Sequence, residues 1–253
     1  MNNFFCNIPI YIINLEDSFD RKKHILNEFK NYDANIEFIS AIDGRKSENF
    51  YYNYKVNYNS EFNFSTSLIA VICSHIKAIY KAYNSNLEKV CILEDDVHLD
   101  LLSNVNFNLN EICNINNDWE AIQIFYVKSM DYETDIKNNY NDYINNGLRL
   151  TKRDCNYSGT SYIINRTGME KILNSIVITN GENIFNFIPN IIDPEDLILN
   201  YINSYIINRQ LVFYYFNTMT FTNYDKNNID DKKNCQEIHL KVKNLLLELY
   251  IKN

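Results

Sequence analysis

Short, apolar, β-branched segments alternate with helical segments along the chain, and this alternation restricts the possible folds most strongly. Residues 8–14 (IPIYIIN) predict a buried strand, and residues 18–32 follow with Ile25, Leu26 and Phe29 at helical spacing. Chains that alternate in this way pack helices against the faces of a sheet whose strands are connected through those helices. We therefore expect an α/β fold with a mostly parallel central sheet.

Five further strands and three further helices complete this prediction. Strands are predicted over 36–42, 89–93, 119–127 and 157–164, with a last one over 211–216. Helices are predicted from a cap at 65–67 to about residue 84, over 167–176 with Thr167 as cap, and over 194–208 with Pro194 in the first turn.

Residues 45–63 and 128–146 have no clear period and are expected to be surface loops. No linker divides the chain, which predicts a single domain over 1–253.

The C-terminal segment carries an apolar stripe at helical spacing. Its members are Ile238, Val242, Leu245, Leu246 and Leu249. A helix with such a stripe is expected to pack on the core of its own domain. The alternatives are a contact between two copies in a homodimer and a helix lying on a membrane surface.

Composition excludes several classes of function. The net charge is −8, and Lys and Arg are scattered, which argues against a nucleic-acid-binding surface. The apolar segments are too short for a membrane span, and the N-terminal residues lack the features of a signal peptide. The six cysteines form no CxxC pair, as expected of a reduced, cytoplasmic protein without structural zinc. The Asn-rich composition is typical of an A/T-rich bacterium or a large DNA virus, so the cytoplasm could be that of a host.

Three adjacent acids, Glu94-Asp95-Asp96, end the predicted strand over 89–93. Ligands of open α/β sheets bind at the carboxyl ends of strands. Three neighbouring carboxylates repel one another, and hard oxygen ligands suit Mg²⁺ or Mn²⁺, especially where substrate phosphates complete the coordination. The alternative is a solvated acidic turn that caps the following helix, and the triplet alone leaves both interpretations open.

Five segments in a fixed order resemble glycosyltransferase family 25, which includes bacterial lipooligosaccharide galactosyltransferases and collagen β-galactosyltransferases. They are IYIINLEDSFDR from residue 10, FISAIDG from 38, CSH from 73, ILEDDV from 92 and SGTSYIIN from 158. The resemblance spans residues 8 to 173. It implies a single-domain GT-A (Rossmann-like) fold, with a nucleotide-binding half over about 1–127 and a donor-sugar and acceptor half over about 128–253. It also implies a UDP-sugar donor and Mn²⁺ or Mg²⁺ as cofactor.

The resemblance also implies roles for individual residues. Asp96 is the first choice as metal ligand, followed by Glu94, and Glu94 or Asp95 would contact the ribose. The residues implied in binding the donor are Asn14, Leu15, Arg21, Asp43, Gly44, Ser74, His75, Glu94, Asp95, Gly159, Thr160 and Ser161.

Several of these positions also have a structural interpretation. Arg21 could be a solvated charge, Asp43 a turn residue and His75 a buried helix residue. The segment from Gly159 to Ser161 could be an ordinary strand entry. The family's Gly-Glu-x-Gly-Cys sequence is replaced here by SLIAV from residue 67, which places Leu68 where the family has a carboxylate.

The family's inverting members transfer the sugar in one displacement, which requires a base to accept the proton of the acceptor hydroxyl. Asp193, Glu195 and Asp196 are the candidates, although all three also fit a helix N-cap and first turn. The expected activity is metal-dependent transfer of a hexose from a UDP-sugar to a glycan or glycosylated acceptor. Galactose is the first choice, then glucose or N-acetylglucosamine. The alternative is a degenerate relative that binds a nucleotide sugar or glycan without turnover.

Overall fold

The computed structural model describes residues 2–45, 66–125, 132–153, 161–176, 198–214, 237 and 240–252. The predicted loop over 46–63 lies outside these residues, as do Gly159, Thr160, Asp193, Glu195 and Asp196. The elements, in chain order, are β1 (Ile10–Asn14), α1 (Phe19–Phe29), β2 (Ile36–Ser40), α2 (Thr66–Asn84), β3 (Lys89–Glu94), β4 (Val97–His98), a 3₁₀-helix (Asp100–Asn104), α3 (Leu109–Cys113), β5 (Ala121–Gln123), α4 (Tyr132–Asn146), β6 (Leu150–Lys152), β7 (Ser161–Asn165), α5 (Arg166–Ile176), β8 (Ser204–Ile207), β9 (Phe213–Tyr214), α6 over 240–247 and a π-helical turn (Glu248–Lys252).

Seven strands form one mixed sheet in the order β2-β1-β3-β7-β5-β8-β6. The pairs β1–β2, β1–β3 and β5–β8 are parallel, whereas β3–β7, β5–β7 and β6–β8 are antiparallel. The prediction of an α/β fold is confirmed, but the expectation of a mostly parallel sheet is wrong. A buried apolar strand has the same residue pattern in either direction, so the sequence did not reveal that β7 and β6 are reversed.

Alternating side chains of the central strands build a core on each face of the sheet. In β1, Ile10 and Ile12 contribute to one cluster with helix α1, while Tyr11 and Ile13 contribute to the other with α2 and α5. Both faces are covered, which explains why β1 is buried along its whole length. The candidate site can then lie only at the ends of the strands.

The predicted loop over 128–146 is wrong in its larger part, because residues Tyr132–Asn146 form α4. Ile136 is buried, and Tyr140 and Tyr143 pack against the same core cluster. These apolar residues are spaced by three and four positions, and the Asn-rich composition between them obscured the helical period.

The predicted helix over 194–208 is also wrong at its C-terminal end. Residues 198 and 199 are helical, but Ser204–Ile207 form β8, whose four residues are all buried. This strand lies between β5 and β6, and its partners on both sides favour the extended conformation over the helix that Pro194 predicts.

Two smaller predictions also need correction. Helix α5 is capped by Asn165, whose Oδ1 accepts the Gly168 amide at 2.9 Å, and not by Thr167. The last predicted strand is limited to β9 within the described residues, and it pairs with β4 outside the main sheet.

The C-terminal stripe packs on the chain's own core as predicted, through Val242 and Leu246. Among the described residues, no helix is long and apolar enough to cross a membrane.

Gly168 allows α5 to lie close to the backbone before β5. A Cβ at this position would stand 2.6 Å from the carbonyl oxygen of Glu120.

An exposed Gly→Ala change in a helix normally stabilises it by up to about 1 kcal/mol. We expect Gly168→Ala instead to lower the free energy of unfolding by about 1–3 kcal/mol, because α5 must move away from the sheet. Urea denaturation measures this, with Ser175→Ala on the exposed side of α5 as control. A stabilised Gly168→Ala protein would contradict the packing.

Candidate functional site

The topology brings several predicted residues to one edge of the sheet. Strands β1, β2 and β3 are parallel, so their carboxyl ends lie together, with Asn14 beside Ser40 and Ile13 beside Glu94. Strand β7 runs the other way, and its first residue, Ser161, pairs with Leu93. The acidic turn after β3 is therefore flanked by the end of β1 on one side and the start of β7 on the other.

Asp95 is buried in this turn and held by side chains from β1 and α1. Asn14 Nδ2 donates to Asp95 Oδ2 at 2.7 Å, and Arg21 Nη1 donates to Asp95 Oδ1 at 2.5 Å. Only 5% of the Asp95 side chain is exposed. Burial raises the pKa of this carboxyl, while Arg21 and Asn14 lower it. With both oxygens engaged, Asp95 fixes the position of Arg21 and Asn14.

Asp96 is also buried but only half satisfied. Arg21 Nη2 donates to Asp96 Oδ2 at 2.8 Å, whereas Asp96 Oδ1 is buried with no hydrogen-bond partner among the described residues. Burial raises the pKa of Asp96 to about 7, Arg21 opposes this increase, and the charges of Glu94 and Asp95 add to it. A buried, unpaired carboxylate oxygen is costly unless a cation or a donor approaches it.

Arg21 is the common counter-charge of the turn. Helix α1 begins at Phe19, and its first turn points Arg21 at both aspartates. Burial would lower the pKa of Arg21, but Asp96 and Asp95 raise it, so the guanidinium stays charged. The interpretation of Arg21 as a solvated surface charge is therefore wrong, since it pairs with two buried acids.

Glu94 connects the acidic turn to α2 and β7 through His75. His75 Nε2 lies 3.2 Å from Glu94 Oε1, and His75 Nδ1 lies 3.1 Å from the Tyr162 hydroxyl. Because the Glu94 carboxylate can only accept, the neutral imidazole carries its proton on Nε2 and accepts the Tyr162 proton at Nδ1. Burial, followed by the charge of Glu94, raises the pKa of Tyr162 well above its ordinary value, so the hydroxyl remains a donor.

Tyr162 is a residue of this site that was not singled out from the sequence. It lies in the segment SGTSYIIN that carries part of the family resemblance, directly after Ser161. Its ring stacks on His75 with centroids 5.8 Å apart. The side chain of Glu94 is 24% exposed, so this chain of contacts leads from the core to solvent.

Ser74 has a structural position behind the site. Its Oγ donates to the Ala70 carbonyl at 2.6 Å and accepts the Ile42 amide at 2.8 Å, in a fully buried environment. The first bond lies within α2, and the second connects α2 to the segment that follows β2. Ser74 therefore acts on the site by holding that segment in place.

Asp43 and Gly44 follow β2 at the same edge. Asp43 accepts bonds from the Arg45 side chain, with Nε and Nη2 both at 2.7 Å, and Arg45 also pairs with Asp17 at 2.8 Å. Leu15, directly after Asn14, is partly exposed, and its carbonyl accepts the Ser18 amide in the turn that begins α1. Ser161 is fully buried at the start of β7.

The structure thus brings one set of predicted residues into direct contact. The set consists of Asn14, Arg21, His75, Glu94, Asp95 and Asp96. Among these, Asp96 Oδ1 and the partly exposed Glu94 carboxylate are the atoms suited to a hard divalent cation, because Asp95 is fully used by Asn14 and Arg21. The donor set fits Mn²⁺ or Mg²⁺.

The chain is similar to a known family of proteins. A family model for glycosyltransferase family 25 (LPS biosynthesis protein) matches residues 7–185, well over half of the chain. A search of curated protein sequences gives no match. Among solved structures, "Crystal Structure of A197 from STIV" is similar with a TM-score of 0.44 and 11% sequence identity, covering 86% of this chain and 87% of that chain.

Removing the Arg21 guanidinium would leave two buried carboxylates without their counter-charge. Losing one partner of a fully buried ion pair costs about 3–5 kcal/mol. Because 26% of the Arg21 side chain is exposed, we expect Arg21→Gln to lower the free energy of unfolding by a smaller amount, about 2–3 kcal/mol. Saturating Mn²⁺ should recover part of this loss by supplying a replacement cation.

Chemical denaturation with and without Mn²⁺ measures both effects. Lys23→Gln, on an exposed position of the same helix, is the matched control and should change stability by less than about 0.5 kcal/mol. Equal stability of the two variants would contradict the role of Arg21 as the counter-charge of the turn.

Proposed function

The chain belongs to glycosyltransferase family 25, and from this premise we propose that it is a metal-dependent, inverting hexosyltransferase that uses a UDP-sugar donor. The observation that carries this proposal is the buried Asp96 Oδ1 just beyond the carboxyl end of β3, near Asn14 and Arg21, which has no hydrogen-bond partner in the described part of the chain. We further propose a GT-A arrangement, supported by the parallel strands β2-β1-β3 whose carboxyl ends meet at this turn.

In this proposal Asp96 and Glu94 hold Mn²⁺ or Mg²⁺. When bound, the metal would neutralise the charge that develops on the departing nucleotide diphosphate. Asp95 contributes indirectly, by fixing Arg21 and Asn14. Arg21 already carries a positive charge at the turn, and it is proposed to share its two bonds between the aspartates and a donor phosphate.

The nucleoside would lie along the end of β1 and the segment after β2. Asn14 offers a side-chain amide, and Leu15 and Gly44 offer backbone close to it. Asp43 is held in one conformation by Arg45, which would preorganise its carboxylate for a ribose or base contact. Ser161, with Gly159 and Thr160 before it, would border the sugar.

The reaction itself requires one displacement. The acceptor oxygen forms a bond to the anomeric carbon while the bond from that carbon to the diphosphate oxygen breaks, and a carboxylate accepts the hydroxyl proton. Asp193, Glu195 and Asp196 remain the proposed candidates for this base. We propose galactose as the first choice of sugar, with glucose or N-acetylglucosamine as alternatives, and a glycan or glycosylated molecule as acceptor.

Asp96→Asn tests the proposal with little change in volume. We expect metal-dependent UDP binding to weaken at least about 100-fold, because the amide cannot replace an anionic ligand. Isothermal titration with UDP and Mn²⁺ measures this. Asp100→Asn, the same change at an exposed acid four residues further on, should bind like the unchanged protein.

A UDP-release assay over a panel of UDP-sugars distinguishes an enzyme from a binding protein. Metal-dependent release with at least one sugar is expected. Tight binding of UDP and Mn²⁺ without release or transfer would instead favour the degenerate relative. Unchanged metal-dependent binding by Asp96→Asn would contradict the assignment of Asp96.

A further inference from the structure

A second cluster of metal-binding side chains lies next to the acidic turn, and we propose that it binds a zinc-type transition-metal ion. The cluster consists of His24 and Glu28 on α1 and His98 on β4. One ligand atom from each residue lies within 4.8 Å of the other two. Two imidazoles and one carboxylate suit Zn²⁺ and its first-row neighbours, in contrast to the oxygen ligands of the acidic turn.

Local structure explains why these three residues meet. His24 and Glu28 are four residues apart on α1 and therefore share one face of that helix. His98 comes two residues after Asp96, and the pairing of β4 with β9 fixes its backbone. The cluster thus spans the same two elements, α1 and the segment after β3, that Arg21 already connects.

The hydrogen bond of His24 leaves its Nδ1 available as a metal ligand. His24 Nε2 lies 2.9 Å from the Val97 carbonyl oxygen, which can only accept a proton. The neutral imidazole therefore carries its proton on Nε2 and a lone pair on Nδ1, which lies 3.9 Å from Glu28 Oε1. Histidines that ligate metals show this pattern, with the other ring nitrogen donating to a backbone carbonyl.

The backbone also positions Glu28 in the cluster. Its Oε2 accepts the Leu99 amide at 2.8 Å, while its Oε1 lies between the two histidines, 3.3 Å from His98 Nδ1. Burial would raise the pKa of Glu28, but the bonds from His98 and Leu99 lower it overall, so the group is a carboxylate at neutral pH. One carboxylate oxygen is anchored by the backbone and the other is directed at the cluster.

The two separations that involve Glu28 are close to those of a tetrahedral site, and the two histidine ligand atoms lie within 4.8 Å of each other. Zinc–ligand bonds of about 2.0–2.1 Å place neighbouring ligand atoms about 3.3 Å apart. Glu28 Oε1 and His98 Nδ1 are already 3.3 Å apart. The distance from Glu28 Oε1 to His24 Nδ1, 3.9 Å, needs to close by only about half an ångström, which side-chain rotation supplies.

The cluster is also accessible. The side chains of His24, Glu28 and His98 are 29%, 18% and 14% exposed, which leaves room for a water as fourth ligand. The absence of CxxC pairs argues only against a cysteine-type zinc site and has no bearing on this one. A bound ion would fasten α1 to β4 and thereby hold Arg21 over Asp95 and Asp96.

Titration with Co²⁺ and Zn²⁺ tests this inference independently of transfer activity. We expect one ion of Zn²⁺ to bind by calorimetry, and Co²⁺ to give visible absorption bands typical of a four- or five-coordinate nitrogen and oxygen site. The same binding should persist in Asp96→Asn, which lacks the proposed oxygen-ligand site. Failure of the proposed function would therefore leave this result unaffected.

Matched variants decide whether the cluster is responsible. His24→Gln and His98→Gln should each weaken binding by more than about tenfold, a loss that even a second-shell change can cause. His239→Gln removes the histidine of the C-terminal segment and should bind as before. Glu28→Gln keeps an acceptor for the Leu99 amide, so it serves as a folded variant if a histidine change impairs folding.

Three results would overturn the inference. They are the absence of Zn²⁺ binding, unchanged binding in the folded cluster variants, and loss of binding in Asp96→Asn alone.

Discussion

The candidate site depends on one interaction, in which Arg21 donates one hydrogen bond to Asp95 and another to Asp96. Two carboxylates buried at the end of a strand are strongly unfavourable without a counter-charge. Arg21 supplies that charge from α1, and Asn14 adds a bond from the end of β1. The first strand and helix must therefore pack against β3 as observed, or the acidic turn cannot remain buried.

The same interaction leaves one carboxylate oxygen for the metal that we propose. Arg21 and Asn14 together satisfy Asp95, and Arg21 also satisfies one oxygen of Asp96. Asp96 Oδ1 remains buried without a partner among the residues described. A cation that approaches this oxygen relieves an existing cost and does not have to displace Arg21. Glu94 contacts His75, which in turn contacts the Tyr162 hydroxyl, and it is the carboxylate of the turn with access to solvent.

Much of the fold could be predicted because buried strands and amphipathic helices have distinct periods. Strand β1 and helices α1 and α2 lie within the predicted segments, and β3 extends one residue beyond its predicted segment, to Glu94. Strand direction could not be predicted, since a buried apolar strand reads alike in both directions. Helix α4 was missed because the Asn-rich composition obscured the helical spacing of Ile136, Tyr140 and Tyr143. Strand β8 was missed because its sheet partners favour the extended conformation over the helix that Pro194 predicts.

The site was predictable where the residues follow parallel strands, as Asn14 and the acidic turn do. The contacts of Arg21 and Tyr162 were not, because they join residues separated by more than seventy positions. The cluster of His24, Glu28 and His98 could not be predicted for the same reason, because His98 lies far from α1 in sequence.

Paramagnetic NMR with Mn²⁺ and UDP tests the central claim most directly, namely that the turn after β3 binds a metal with the nucleotide. Broadening falls off steeply with distance from Mn²⁺. The account predicts selective broadening of the amide signals of Asn14, Glu94, Asp95, Asp96 and Ser161, with those of β6 and α6 unaffected. Broadening centred elsewhere, or none at Glu94–Asp96 with Mn²⁺ and UDP in excess, would contradict it.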